Sequence, residues 1–391
     1  MTVDSSLGGR VLVFREMLLS GSETFIRNQV DALRRWKPVL AGVDRVASEL
    51  TRPTDRLLAP GISDLRRRAF KVTRRSRGIR KGIVDIDPRL VHVHFGMDAV
   101  MLLPVVRSLK LPLVTTFHGV DVNVLPHGRS VLSRLYSARL PQLFAYADAL
   151  IAPSEFLRDR LIALGAPAAK VVVLPIGVPV SPELEPTNRR GVAFVGRLTE
   201  VKGWADAIRA YAQLPSTIRM AHPLIVVGDG PDREALVSLA RQNDVPVEMV
   251  GMASPQQVRD VLARSAVLLA PSRRASDGAT EAFGLVHLEA ALAGVPSIAY
   301  ASGGVVEAVQ HGKTGLLARE GDVSELADNL RAVLSDVALR ERLASAARRR
   351  VVEQFDIEAC TRALETLYDQ VMKRGLADAF NEITSEKSER G

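Results

Sequence analysis

A single cysteine, Cys360, stands in 391 residues. That excludes an internal disulfide and any cysteine cluster for a metal, and its setting in a helical C-terminal pattern points to packing. Aromatic residues make up only 5% of the chain, and no apolar run approaches the ~18–20 residues needed to cross a bilayer. No lysine- or arginine-led hydrophobic region precedes Val11–Phe14, so no signal peptide is expected and the expected compartment is the cytoplasm. No His/Glu cluster has zinc spacing. With 47% hydrophobic and 25% charged residues, the composition is that of an Ala/Val/Leu-rich α/β protein, and the length suits two domains better than one core.

Short Val/Ile/Leu runs alternate with helical patterns, which predicts βαβ units and parallel sheets. Strands are expected at Val11–Phe14, Val39–Val43, Val91–His94, Leu113–Phe117, Ala149–Ala152 and Val171–Leu174, and in a second series at Val192–Val195, Leu224–Val227, Val247–Val250, Val267–Ala270, Ser297–Tyr300 and Gly315–Ala318. Between the series, residues 177–191 hold three prolines and no periodicity, so they read as the interdomain linker. The expected organisation is a first Rossmann-like domain over 1–180, a second over 190–355, and a polar tail over 376–391 with frayed structure. Ligands of such sheets bind beyond the carboxyl ends of the strands, so two of them facing one another would make a cleft.

The motif richest in chemistry follows Asp277. Glu281 and Glu289 flank Phe283-Gly284-Leu285, where a glycine opens a helix. Unpaired backbone N–H groups and the positive end of the helix dipole suit a diphosphate, whereas the carboxylates suit sugar and ribose hydroxyls. Upstream, Val192–Val195 runs through Gly196 into Arg197 and Lys202 ahead of a helix. Two fixed cations there would stabilise a departing diphosphate. A third strand leaves through Gly228, as backbone passing close to a ligand would.

This combination resembles the retaining nucleotide-sugar glycosyltransferases of family four, glycosyltransferase group 1, most strongly over 191–320 and more weakly over 10–180. The resemblance implies the GT-B fold, with two doubly wound parallel-sheet domains across a cleft, the first on the acceptor side and the second on the donor side. It also implies that helices at about 356–375 cross back onto the first domain. By resemblance, Glu281 and His118 hold the donor sugar, and Phe283, Gly284 and Leu285 meet sugar and diphosphate through their backbone. Glu289 holds the ribose, Val250 and Met252 lie against the base, and Arg197 with Lys202 takes the leaving group. No covalent nucleophile stands out, so retention rests on the resemblance, as does a reaction that needs no metal ion or other cofactor.

The first half carries acceptor-side candidates. Gly21 would let backbone approach the donor diphosphate, and Ser22 would cap a helix with Glu23 in its first turn, a role that capping alone explains equally well. The stretch Ser22-Glu23-Thr24-Phe25-Ile26 resembles the polysaccharide and antibiotic branch of the same family. Asp121, after Thr116-Phe117-His118, is a further candidate for orienting an acceptor, and His94 with Gly96 ends another strand. His92 and His94 alternate in that strand, so one of them is expected to be buried. Asp85-Ile86-Asp87 has the spelling of a metal-binding carboxylate pair, but it precedes Pro88 on a surface approach, and the resemblance implies that Arg197, Lys202 and a helix dipole do the leaving-group work a divalent ion would do.

Residues 64–82 hold nine basic residues against one acidic, a net +8 that equals the formal charge of the whole chain. Arg66, Arg67, Arg68, Lys71, Arg74 and Arg75, with Leu65, Ala69, Phe70 and Val72 as apolar surface, would suit an anionic inner membrane surface or a phosphorylated acceptor. A solvated basic helix accounts for the same charges. No base-reading module accompanies them, so nucleic acid is not an expected partner. The expected function is transfer of a hexose-type sugar from a UDP- or GDP-sugar to an acceptor hydroxyl, on a small molecule or a lipid-linked one, in polysaccharide, glycolipid or natural-product synthesis. The alternatives are a same-fold epimerase or phosphorylase, and a non-enzymatic polyanion-binding protein.

Overall fold

The computed structural model describes residues 8–21, 23–46, 48–180 and 189–388. Strands form where β-branched and aliphatic residues run together: β1 (Arg10–Phe14), β2 (Met17–Leu18), β3 (Lys37–Gly42), β4 (Asp44–Arg45), β5 (Arg56–Leu57), β6 (Leu90–His94), β7 (Leu113–Thr116), β8 (Ala149–Ala152) and β9 (Val171–Val173). A second series comprises β10 (Val192–Val195), β11 (Leu224–Val227), β12 (Val247–Gly251), β13 (Val267–Leu269), β14 (Ser297–Tyr300) and β15 (Gly315–Ala318). The chain divides into two compact units: Met1–Pro153 with Arg158–Gly177 and Ile357–Gly391, and Ser154–Leu157 with Val178–Asp356.

In the first unit seven parallel strands lie in the order β5-β3-β1-β6-β7-β8-β9. The second has six, all parallel, in the order β12-β11-β10-β13-β14-β15. Each sheet reverses its winding once, between β1 and β6 and between β10 and β13. These are the points where doubly wound sheets open a crevice at the carboxyl ends of their strands. The short strands β2, β4 and β5 were not expected, because two residues carry no periodicity.

The last helix, Ile357–Ser388, belongs to the first unit. Leu364, Leu367, Tyr368 and Val371 enter its core beside Trp36, and the Trp36 and Tyr368 rings meet edge to face at 5.5 Å. Glu365 Oε1 accepts from the backbone N–H groups of Arg34 (2.9 Å), Arg35 (2.6 Å) and Trp36 (3.0 Å), just past the helix Thr24–Ala32. The polar segment after Gly375, expected to fray, continues the same helix to Ser388, because it contains no proline and several good helix formers. Glu365→Ala leaves three donors without their acceptor, so we expect a loss of about 1–2 kcal/mol in urea unfolding. A change below about 0.5 kcal/mol would show that water replaces the carboxylate there.

Candidate functional site

In the second unit the crevice at the β10/β13 reversal is built from glycines. Val195 pairs with Val227, so Gly196 and Gly228 leave adjacent strands side by side. Gly196 N–H donates to Val227 O (3.0 Å) and Gly228 N–H to Gly251 O (2.8 Å). A Cβ on Gly228, at φ 127°, would stand 2.0 Å from Gly196 O, so only glycine fits this backbone contact. Lys202 lies in the single turn Glu200–Lys202, and its stem runs past Gly196, whose Cβ position is 3.5 Å from Lys202 Cδ.

Lys202 Nζ reaches Glu281 Oε2 at 2.5 Å, and Ser272 Oγ donates to the same oxygen at 3.3 Å. Burial opposes ionisation of Glu281, but Lys202, the nearby His287 and the Ser272 hydroxyl outweigh it and hold the carboxyl below its usual range. The Glu281 loop rests on Gly303 and Gly304: Gly304 N–H donates to Glu281 O (2.9 Å), and a Cβ on Gly304 would stand 2.0 Å from Ala282 O. Gly284, at φ 92°, then opens the helix Leu285–Leu292. Two members of this cluster lie outside the site expected from sequence: Ser272, whose strand-end position reads equally as a plain turn, and His287. Ser272 ends the segment after β13, and only the sheet order brings it beside β10 and Lys202. His287 is buried with both ring nitrogens unpartnered, and burial lowers its pKa to about 4. Its position one turn after Gly284 is the only signal the sequence carries.

Glu289 is half-buried on the same helix. Burial raises its pKa to about 7, against the opposing pull of Arg259 and Lys202. Leu285 is the first helical residue, and Phe283 turns its ring into the core against Phe355 at 5.4 Å, which leaves only its backbone for a ligand. Val250 packs partly on the core and Met252 is 72% exposed. Arg197 is exposed, and its guanidinium has no partner among the described residues.

In the first unit, His92 and His94 share one face, as residues two apart in a strand must, and both are buried, with rings 4.5 Å apart. The expectation that only one is buried is thus corrected, since both side chains point to the same covered face of the central strand β6. His92 is bound by Tyr368 OH (2.6 Å) and Thr116 Oγ1 (2.7 Å). His94 Nδ1 meets His118 Nε2 at 3.0 Å, which places His94 behind His118 with its own Nε2 buried and unpartnered. His118 is half-buried between Phe25 (4.9 Å) and Phe95 (4.3 Å). Burial lowers its pKa to about 3, so it is a neutral imidazole at physiological pH.

The two acidic candidates of this unit are already engaged. Asp121 is buried, and its carboxylate accepts from the backbone N–H groups of Gly96 (2.7 Å), His118 (3.0 Å) and Gly119 (3.0 Å), which makes it a bracket for the His118 turn. Glu23 occupies the N-cap position of the helix rather than its first turn, and it makes no side-chain cap. Arg15 Nε takes its Oε1 at 2.9 Å and Ser20 N–H its Oε2 at 3.0 Å, because Arg15 also anchors buried Asp98 (2.6 Å) between the same elements. Burial raises the Asp98 pKa to about 6 despite Arg15. Gly21 is an exposed turn residue with open space about it. Ser22 lies outside the described residues, as do the side chains of Arg66 and Arg68.

The basic segment forms two helices, Asp64–Thr73 and Arg77–Ile86. Phe70 is 1% exposed, so it adds core rather than the apolar surface expected of it. Arg67 pairs with Asp44 and Lys71 with Glu16, while Arg75 is exposed. Burial and the nearby Arg139 lower the Arg74 pKa. Asp85 is exposed in the last turn of the second helix, and Asp87 ends it in a left-handed conformation (φ 52°) through backbone bonds to Ile83 and Val84. Among the described residues no group of three or more His, Cys, Asp or Glu side chains is placed to hold a metal, and no helix is long and apolar enough to cross a membrane.

The family model "Glycosyl transferases group 1" matches residues 181–350, and "Glycosyltransferase Family 4" matches residues 19–181. The chain is 32% identical over 302 residues to a glycogen synthase of Mycobacterium tuberculosis, an alignment covering 74% of this chain and 70% of that protein. It is also 32% identical over 298 residues to a GDP-mannose-dependent alpha-(1-6)-phosphatidylinositol monomannoside mannosyltransferase of M. tuberculosis, covering 71% and 74%. The crystal structure of Anabaena HepE in complex with UDP and glucose superposes with a TM-score of 0.71 at 20% identity, covering 92% of this chain and 99% of that one.

Proposed function

Because the chain belongs to the group 1 glycosyltransferases of GT-B fold and therefore acts on a nucleotide sugar, we propose that it moves a hexose-type sugar from a UDP- or GDP-sugar to an acceptor hydroxyl with retention. The observation that carries this reading is the Lys202–Glu281 pair beside the Gly196/Gly228 backbone. A cation and a carboxylate 2.5 Å apart at the mouth of a glycine-lined crevice suit adjoining diphosphate and sugar hydroxyls.

In this reading the backbone at Gly284 and Leu285 and the cations Arg197 and Lys202 receive the diphosphate, Glu281 accepts from the sugar hydroxyls and Glu289 from the ribose. Val250 and Met252 lie along the base. His118, neutral and bracketed by Asp121, is assigned to a sugar hydroxyl rather than to charge stabilisation. The acceptor oxygen bonds to the anomeric carbon on the face from which the diphosphate departs, and the leaving phosphate oxygen takes the acceptor proton. The donors fit the relatives: one is named for GDP-mannose, and HepE was solved with UDP. Thermal shift against UDP, GDP and their sugars identifies the donor, and NMR of the product's anomeric proton tests retention. An inverted product, or an epimer formed from the nucleotide sugar alone, would overturn the reading.

The leaving group is served by fixed cations, so we expect turnover to persist in EDTA after exhaustive dialysis and Asp85→Ala to be nearly silent. Activity lost in EDTA and restored only by manganese or magnesium would contradict this.

A further inference from the structure

We propose that the first unit carries a second anion site, a groove that binds a phosphate-bearing ligand distinct from the nucleotide sugar. An open groove of about 1080 Å³ runs between the helix Arg77–Ile86 and the segment leading from the edge strand β5 to Ile62. Its wall is built tightly. A Cβ on Gly82 would stand 2.2 Å from Leu58 O and one on Gly78 3.3 Å from Ala59 Cβ, so these glycines let the helix lie directly on the Leu58–Ala59 backbone. Ile79 and Ile83 are fully buried beneath it, and Ser76 Oγ caps it by accepting from Ile79 N–H (3.3 Å).

Five cations line this groove: Arg10, Arg56, Arg75, Arg77 and Lys81, against one acid, Asp85. All five are exposed, and none makes an ion pair among the described residues; Arg10 donates only to the carbonyl of Ile86. Elsewhere in the same unit Arg15, Arg27, Arg34, Arg35, Arg52, Arg67 and Lys71 each meet a carboxylate, whereas the five groove cations are gathered around one open space without one. Arg77 and Lys81 stand one turn apart, where like charges repel by roughly 0.2–0.5 kcal/mol, so the cluster is unfavourable until an anion supplies the missing countercharge. The guanidinium groups suit bidentate contacts to phosphate oxygens, and the groove has room for more than one phosphate or for a phosphate ester with an organic body. The chemistry fits a soluble phosphate ester and a phospholipid headgroup alike.

The test uses the full chain with a saturating nucleoside diphosphate, so that the donor pocket is filled. One arm titrates inorganic tripolyphosphate by calorimetry; the other sediments the protein with phosphatidylglycerol/phosphatidylcholine vesicles. Each arm compares wild type, the triple variant Arg56→Gln, Arg77→Gln, Lys81→Gln, and a control of equal charge change on exposed positions of the second unit, Arg241→Gln, Lys313→Gln, Arg349→Gln. We expect wild type and control to bind in at least one arm, more weakly as salt rises. The groove variant should lose at least tenfold of that affinity while keeping its nucleotide-induced shift in melting temperature. Tripolyphosphate alone would identify a soluble ligand and vesicles alone a headgroup. No binding in either arm, or an equal loss in the control, overturns the site.

Discussion

Lys202→Ala is expected to lower kcat by about 10²-fold or more, the scale on which removal of one preorganised charge-stabilising donor acts. The side chain is held over Gly196 and against Glu281, so its charge is fixed before a donor arrives and costs no reorganisation as the diphosphate departs. The substitution has a second, separable consequence. With Lys202 gone, Glu281 keeps the Ser272 hydroxyl but loses its main stabilising cation, so its carboxyl rises from below the usual range and its ionised form weakens as the pH falls. Comparing Glu281→Gln with the Lys202→Ala, Glu281→Gln double variant separates the two effects: the double variant is slower than the single one by a similar factor if Lys202 acts on the leaving group, and no slower if the lysine serves only to keep Glu281 ionised. Near-normal turnover in a folded Lys202→Ala protein would remove Lys202 from the leaving-group role altogether.

The twelve longer strands were legible because parallel strands covered on both faces read as unbroken aliphatic runs, and Val192–Val195, Leu224–Val227 and Ser297–Tyr300 carry that signal to the residue. The chemistry of the second unit was legible where it is local in sequence, as with Gly196, Arg197 and Lys202, or Glu281 to Glu289. It failed where neighbours are made by sheet order. Ser272 reaches Glu281 only because β13 lies next to β10, and the engagement of Glu23 follows from Arg15 reaching both it and Asp98. Composition drew the basic segment as one patch. Packing divides it, burying Phe70, pairing Arg67 and Lys71 with acids, and turning Arg75, Arg77 and Lys81 into a groove completed by Arg10 and Arg56 from distant parts of the chain.

Glu289 provides the second large effect, one that runs in opposite directions for stability and for binding. Its folded pKa of about 7 lies above the ordinary 4.5, so between those values the folded state holds a proton that the unfolded state has released. Stability therefore falls as pH rises through this window, and above pH 7 the whole penalty is present, up to roughly 3 kcal/mol at 1.36 kcal/mol per pKa unit. Glu289→Gln cannot ionise. It should be more stable than wild type at pH 8 by an amount approaching that figure, with the difference vanishing near pH 4.5 in chemical denaturation. If Glu289 accepts from ribose hydroxyls, a nucleoside diphosphate selects the ionised form and its binding releases a proton. The affinity of wild type should then rise by up to about tenfold per pH unit below 7 and level off above it. The phosphate's own titration, near pH ~6, contributes the same slope to both proteins, so the difference between them isolates Glu289. A variant that binds the nucleotide as tightly as wild type at pH 8 would remove Glu289 from the ribose. A variant no more stable than wild type at that pH would show that the half-buried carboxylate carries no ionisation penalty.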